Sequence, residues 1–179
     1  MPIDMKTVIS RTFVTMIKQK GIDKITVKAL IDACNISRQT FYYHFQDIME
    51  VIEWSLEQAT QNMLTRSLEA GNPEEALSIL VTSAVENRTL IRKLLDSQKR
   101  EQIEKLFVQA ARTYLQELIR YKNHKASLNY SDMEVALDFW AFGISGLLFK
   151  YCQRDQIDVE SLAEQICRLL PEKGEQDKK

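Results

Sequence analysis

The chain has 179 residues, of which 45% are apolar and 27% charged, with only five glycines and three prolines. That supply of side chains supports a real core, and the scarcity of breakers excludes a sheet protein in favour of long helices. The net charge of −1 does not advertise a nucleic-acid partner, but it is unevenly placed. Residues 1–46 hold seven bases (Lys6, Arg11, Lys18, Lys20, Lys24, Lys28, Arg38) against three acids (Asp4, Asp23, Asp32), a local net of +4 that leaves −5 for the remainder. A basic head on an acidic body fits DNA binding at one end only, although ordinary charge scatter would produce the same asymmetry.

In chain order, the first predicted helix covers Lys6–Lys20, with Val8, Ile9, Phe13 and Ile17 on one face and Gly21 as its stop. Thr26 caps a second helix that ends near Cys34, and the Asn35-Ile36 turn leads to Ser37, the cap of a third helix ending near His44. Asp47 opens a fourth, to about Glu69. Gly71-Asn72-Pro73 is the sharpest break: Asn72 caps, Pro73 suits the first helical position, and Glu75 completes a capping-box arrangement for a fifth helix reaching about Glu86. A shorter helix around Arg88–Asp96 and a long one over Arg100–Lys122 follow, then a polar loop, Lys122–Asn129. Ser131 and Glu134 form an S-x-x-E box for the helix Met133–Tyr151, and Asp158 caps the last, Val159–Leu170. Nine helices and no strand pattern predict an all-α fold, with a polar, disordered tail at 172–179.

Several function classes fall away. No Ser-His-Asp order, Gly-rich phosphate loop or metal-ligand spacing occurs, so neither an enzyme nor a cofactor is expected. His44 and His124 are the only histidines; neither follows a Glu by three residues and no cysteine pair lies near, which removes the helical di-metal and zinc readings. Cys34, Cys152 and Cys167 sit among apolar residues without CxxC spacing, as in a reduced cytoplasmic protein. No charged-then-apolar leader opens the chain, and Asp138 and Lys150 bracket the most apolar stretch, so no membrane span is expected.

The stretch that carries function is Ile25–Phe45, ITVKALIDACNISRQTFYYHF. Two short helices across a tight turn, with a third before them, follow the helix-turn-helix plan. Val27, Leu30, Ile31 and Ala33 are read as packing the second helix on the third, Ile36 as plugging the turn, and Phe41 and Phe45 as facing inward. The opposite face offers Arg38, Gln39, Thr40, Tyr43 and His44, poor for stability but suited to a major groove. Core packing is the competing use for Tyr42 and Tyr43, but Phe41 and Phe45 already fill the inward positions.

Gly21, Ile25, Thr26, Val27, Leu30, Ile36, Ser37, Thr40, Phe41, Tyr42, His44 and Phe45 together resemble the N-terminal pattern of the TetR/AcrR transcription regulators. The resemblance implies a DNA-binding domain at 3–63 (helix-turn-helix at 26–45) and a C-terminal dimerisation and ligand-binding bundle at 64–171. It implies Thr26 and Lys28 against phosphate, Ser37, Arg38, Gln39 and Thr40 at base edges, and Tyr42, Tyr43 and His44 on the sugar-phosphate backbone. Arg38 would take guanine, Gln39 adenine, and the Thr40 methyl thymine. One departure stands out: where the family usually places a Lys, three residues after Phe45, this chain has Ile48, which implies one phosphate contact fewer.

The helix Val135–Tyr151 is apolar almost all round, so it must bury two faces, in its own core and against a partner or ligand; a fully buried helix of a monomer is the competing reading. The family pairs its last two long helices about a twofold axis. This implies a homodimer through Leu137, Trp140, Ile144, Leu147, Leu148, Tyr151, Leu162, Ile166 and Leu169, reading an inverted-repeat operator as a repressor. The family also implies a small-molecule effector pocket, for which Met63, Phe107, Tyr114, Trp140 and Phe142 are the candidates; each reads first as plain core. The body, Phe139–Tyr151 above all, is similar to a Firmicutes-type branch that includes a dihydroxyacetone-kinase regulator, where a protein co-regulator can replace the small ligand. A helical adaptor or coactivator working through a protein partner is the alternative function, kept open by Ile48 and the modest basic charge.

Overall fold

The structure, a computed structural model, describes residues 4–121, 129–154 and 156–169. Their regular structure is helical throughout: α1 (Met5–Lys20), a 3-10 turn (Ile22–Lys24), α2 (Val27–Cys34), α3 (Arg38–His44), α4 (Ile48–Glu69), α5 (Pro73–Glu86), α6 (Arg88–Leu95), α7 (Arg100–Tyr121), α8 (Tyr130–Cys152) and α9 (Val159–Leu169). Most of the expected Lys122–Asn129 loop and all of the 172–179 tail lie outside the described residues.

Short polar side chains set where most of these helices begin. Asp4, Thr26, Ser37, Asp47, Asn72 and Asp158 each accept an amide hydrogen bond from the first turn they precede. The reciprocal half of a capping box is present twice, with Glu50 accepting from the Gln46 amide and Glu75 from the Gly71 amide. At the end of α1, Gly21 takes φ 77°, ψ 160°, a backbone that side-chain-bearing residues rarely adopt.

The start of α8 departs from expectation. Asn129, not Ser131, is the cap and accepts from the Asp132 amide, so the helix begins three residues earlier than Met133. Glu134 reaches instead, with Asp138, to the Arg112 guanidinium on α7. The lengthened α8 is long and apolar enough, by length and composition, to cross a membrane, which the sequence reading had not allowed. Here it packs on α7, α6 and α5, with Leu137, Ala141, Ile144 and Ser145 buried.

Two main apolar clusters organise the molecule. The first joins α1, the 3-10 turn, α2, α3 and the start of α4, and recruits Leu94 of α6 and Ile103 of α7. The second joins α5, α7, α8 and α9, with Met63 and Leu64 of α4 on its flank. Helix α4 therefore belongs to both. Helix α6 is a second tie. Lys93 donates to the Gln19 carbonyl at the end of α1 (3.2 Å), and Arg92 donates to the carbonyls of Cys152 (2.5 Å) and Arg154 (2.8 Å), a cation at the C-terminal end of α8. All three cysteines are free, and burial pushes each thiol up.

Tyr114 locks the second cluster. Its buried hydroxyl donates to Ser67 Oγ (2.7 Å) and lies 3.0 Å from the Ala76 carbonyl, joining α7 to α4 and α5. Burial pushes its pKa up to about 12, against a smaller opposing effect of the Ser67 hydroxyl. An unfolded tyrosine ionises near pH 10, so between pH 10 and 12 the unfolded chain releases a proton that the folded chain retains. Stability should fall with rising pH across that window, by about 3 kcal/mol for this group. Urea unfolding at several pH values should show a Tyr114→Phe variant with a shallower alkaline decline, although it is about 1–2 kcal/mol less stable at neutral pH for want of the hydrogen bond.

Candidate nucleic-acid interface

The reader is built from its buried side outwards. Ile9, Phe13 and Ile17 of α1, Leu30 of α2, Phe41 and Phe45 at α3, and Val51 of α4 are all buried to within 1%. Phe45 also meets Trp54 edge-on, ring centroids 6.1 Å apart. Val27 and Ile31 pack beside this core, as does Ile36 in the turn, whereas Ala33 is exposed and makes no part of the seam. An eight-residue helix has room for one inward stripe, and Leu30 with Ile31 and Val27 already occupies it.

The turn is closed by backbone alone. Asn35 adopts the left-handed conformation (φ 52°, ψ 47°), the Ile36 amide donates to Ile31 O (3.3 Å) and the Asn35 amide to Asp32 O (3.2 Å). This is the Schellman pattern with asparagine in the position that glycine usually fills. Ser37 then starts α3, accepting from the Thr40 amide at 2.9 Å and sharing a hydroxyl–hydroxyl bond of 2.8 Å with Thr40. Thr26 does the same service for α2, accepting from the Ala29 amide at 3.1 Å. Both hydroxyls thus accept from the chain's own first-turn amides, and the Thr40 hydroxyl is bonded to that of Ser37.

All nine residues expected at DNA lie on this small unit. Thr26, Lys28, Ser37, Arg38, Gln39, Tyr42 and Tyr43 are exposed, and Thr40 and His44 half-buried. Tyr42 and Tyr43 are 46% and 84% exposed, which removes core packing as their use. Arg38 lies over the Tyr42 ring, 5.5 Å from its centroid, and Tyr43 meets His44 edge-on at 5.0 Å. Lys6, counted from sequence only among the N-terminal bases, has its Nζ over the Phe45 ring at 5.1 Å and adds a cation at this edge. Its only signal was a base in the first turn of α1. Ile48 is half-buried against the reader core and lines an open cleft with Ile22, Ile25 and Gln98, so it faces the start of α7.

The family profile described as "Bacterial regulatory proteins, tetR family" matches residues 14–53, and that described as "Transcriptional regulator C-terminal region" matches residues 71–172, more than half the chain. The chain belongs to the TetR family of transcription regulators. Among curated relatives of this TetR-family regulator is the dhaKLM operon transcriptional activator DhaS of Lactococcus lactis, 23% identical over 127 residues, 71% of this chain and 67% of that one. Similar solved folds include the dihydroxyacetone kinase operon activator DhaS (22% identity, TM-score 0.68, 93% of this chain and 94% of that chain) and a Listeria innocua protein (18%, 0.71, 94% and 93%). A third is the fatty acid degradation regulator FadR of Bacillus halodurans (16%, 0.58, 93% and 94%).

In the body of this TetR-family regulator, the residues expected at the interface stand mostly on the inner sides of α8 and α9. Leu137, Ile144, Leu162 and Ile166 are buried in the chain's own second cluster, and Trp140, Leu147, Leu148 and Tyr151 are half-buried against it; only Leu169 of the expected interface is exposed. The outward stripe of α8 is instead Val135 (68% exposed), Phe139 (74%) and Phe142 (65%), with Gly143 and Gly146 on the same side. A helix apolar all round carries no pattern that tells its inner face from its outer one. Of the five expected effector-pocket residues, three share the second cluster, while Phe107 lies apart and Phe142 lines an open cleft between α7 and α8. Tyr114 is fully buried with its hydroxyl bonded, Met63 and Trp140 flank the second cluster, Phe107 meets Phe149 edge-on at 5.5 Å, and Phe142 stands on the surface.

Proposed function

We propose that this regulator binds an inverted-repeat operator as a homodimer, laying α3 of each copy in a major groove. The observation that carries this reading is the division of α3, with Phe41 at 0% exposure behind it and Arg38, Gln39, Tyr42 and Tyr43 open in front. Capped N-terminal ends at α2 and α3 offer amides and partial positive charge to phosphate, with Lys28 in the first turn of α2 and Lys6 over Phe45 at the far end of α3. Selection of bound duplexes from a random pool tests it: two half-sites related by a twofold axis are the expected product. Enrichment of no sequence, or of a single half-site bound by one chain, would overturn it.

The dimer is proposed through the Val135-Phe139-Phe142 stripe of α8. A Cβ added at Gly143 or Gly146 would meet no atom within 4 Å, so nothing within the chain calls for glycine there. Each glycine costs a helix interior about 1 kcal/mol relative to alanine, a cost that close approach of a second α8 would offset.

Ile48 predicts a weaker electrostatic grip, since a lysine there could keep its stem against the reader core and carry its charge out through the open cleft, which the isoleucine does not. An Ile48→Lys variant should bind the selected operator more tightly and add about 0.9 to the slope of log K against log salt, one phosphate's worth. Mobility shift across a salt series checks this, and an unchanged slope counts against the missing contact.

Repression follows from occupancy of a promoter and needs only the reader and the dimer. The similarity to DhaS, named as an activator, favours activation as a second reading, with a protein co-regulator acting on the body; reporter output from the selected operator separates the two. Control of DNA affinity by an effector would operate as a population shift between reader spacings. Helices α4 and α6 and the first turns of α7 are connections through which the body could bias it.

A further inference from the structure

We propose that Tyr42 is a positioning residue for Arg38, one that sets sequence discrimination at the base pair Arg38 reads. The inference rests on the DNA-binding reading above and assigns a task to a residue otherwise expected only to brace the backbone. Arginine is a long side chain whose rotamer freedom must be given up when it docks on a base. In the free protein Arg38 is already held one turn back along α3, over the ring of Tyr42 at 5.5 Å. That ring is itself oriented, edge-on to Phe41 at 88° with centroids 5.4 Å apart, and Phe41 is fully buried. A line of contacts thus runs from the reader core through Tyr42 to the guanidinium.

The geometry of the two interactions makes them compatible. Stacking uses the face of the guanidinium, whereas bidentate recognition of guanine O6 and N7 uses its edge. Among the described residues no carboxylate pairs with Arg38, so its donors stay available while its direction is restrained. Arg38 is the first residue of α3, the end of a recognition helix that contacts base edges. Tyr43 supplies an internal control: it is the more exposed of the two rings, and it meets His44 rather than Arg38.

The test uses the full-length chain and the duplex selected above. The base pair at which Arg38→Ala loses discrimination identifies the pair Arg38 reads, where the unaltered protein should prefer one base by about ten-fold or more. Tyr42→Phe, which keeps the ring, should retain that preference. Tyr42→Leu should lower it about two- to five-fold, the worth of an exposed cation–π contact, and leave discrimination at other pairs unchanged. Tyr43→Leu, which removes an expected backbone contact, should weaken all duplexes alike and leave the preference at that pair unchanged. The proposal is overturned if Tyr42→Leu weakens all duplexes equally, if Tyr42→Phe loses as much as Tyr42→Leu, or if Arg38→Ala alters discrimination nowhere. A chain that selects no sequence at all would instead overturn the DNA-binding reading beneath it.

Discussion

Replacing Phe139 and Phe142 together by glutamate should leave a folded monomer of 20.8 kDa that has lost most of its grip on the operator. Both rings are largely exposed in the single chain, so the substitution removes little that holds the monomer together, and glutamate is a good helix former. In a twofold pairing of α8 the same positions would come together near the axis, where four buried carboxylates could not be accommodated. Losing the second reader turns a linked pair of half-site contacts into one, a loss of about 10² to 10⁴ in affinity. Sedimentation velocity and mobility shift read the two effects separately. A double variant that still sediments at twice the chain mass would move the interface away from this face of α8.

The second large effect is expected at Phe41. It is fully buried, meets Phe45 at 6.2 Å between centroids, and lies behind both tyrosines of α3. Phe41→Ala should cost about 3–5 kcal/mol, a large fraction of a small domain's stability. The loss falls on the first apolar cluster, so DNA binding should disappear while the dimer proposed through α8, beside the second cluster, persists. Hydrogen exchange should show protection lost in α1–α3 and retained in α8 and the later turns of α7. Because Leu94 and Ile103 also pack into the first cluster, α6 and the first turns of α7 should loosen with it. Equal loss of protection throughout the chain would show that the two clusters unfold as one unit.

Much of the reader was legible before any coordinates. Thr26, Ser37, Asp47 and Asn72 cap helices in the places their spacing predicts, because a cap needs only an oxygen and an amide two or three residues on. The exposed face of α3 followed from the same locality: on a seven-residue helix, burying Phe41 leaves Arg38, Gln39, Tyr42 and Tyr43 outside. Ser131 shows the limit, since Asn129 competed for the same helix start and won, leaving Glu134 to pair with Arg112 twenty-two residues away.

The sequence by itself determined the helices, their punctuation, the polar face of α3 and the turn that presents it, since these depend on hydrogen bonds and periodicity within a few residues. Tertiary structure alone decided which side of α8 turns inward, where Tyr114 finds Ser67 and Ala76, and how α6 is tied by Lys93 to α1 and by Arg92 to the end of α8. Those contacts join residues 38 to 74 positions apart, and Arg92 reaches Cys152 across 60. No local pattern records them: an apolar residue is equally content in either core, and a guanidinium with any carbonyl that packing brings within reach.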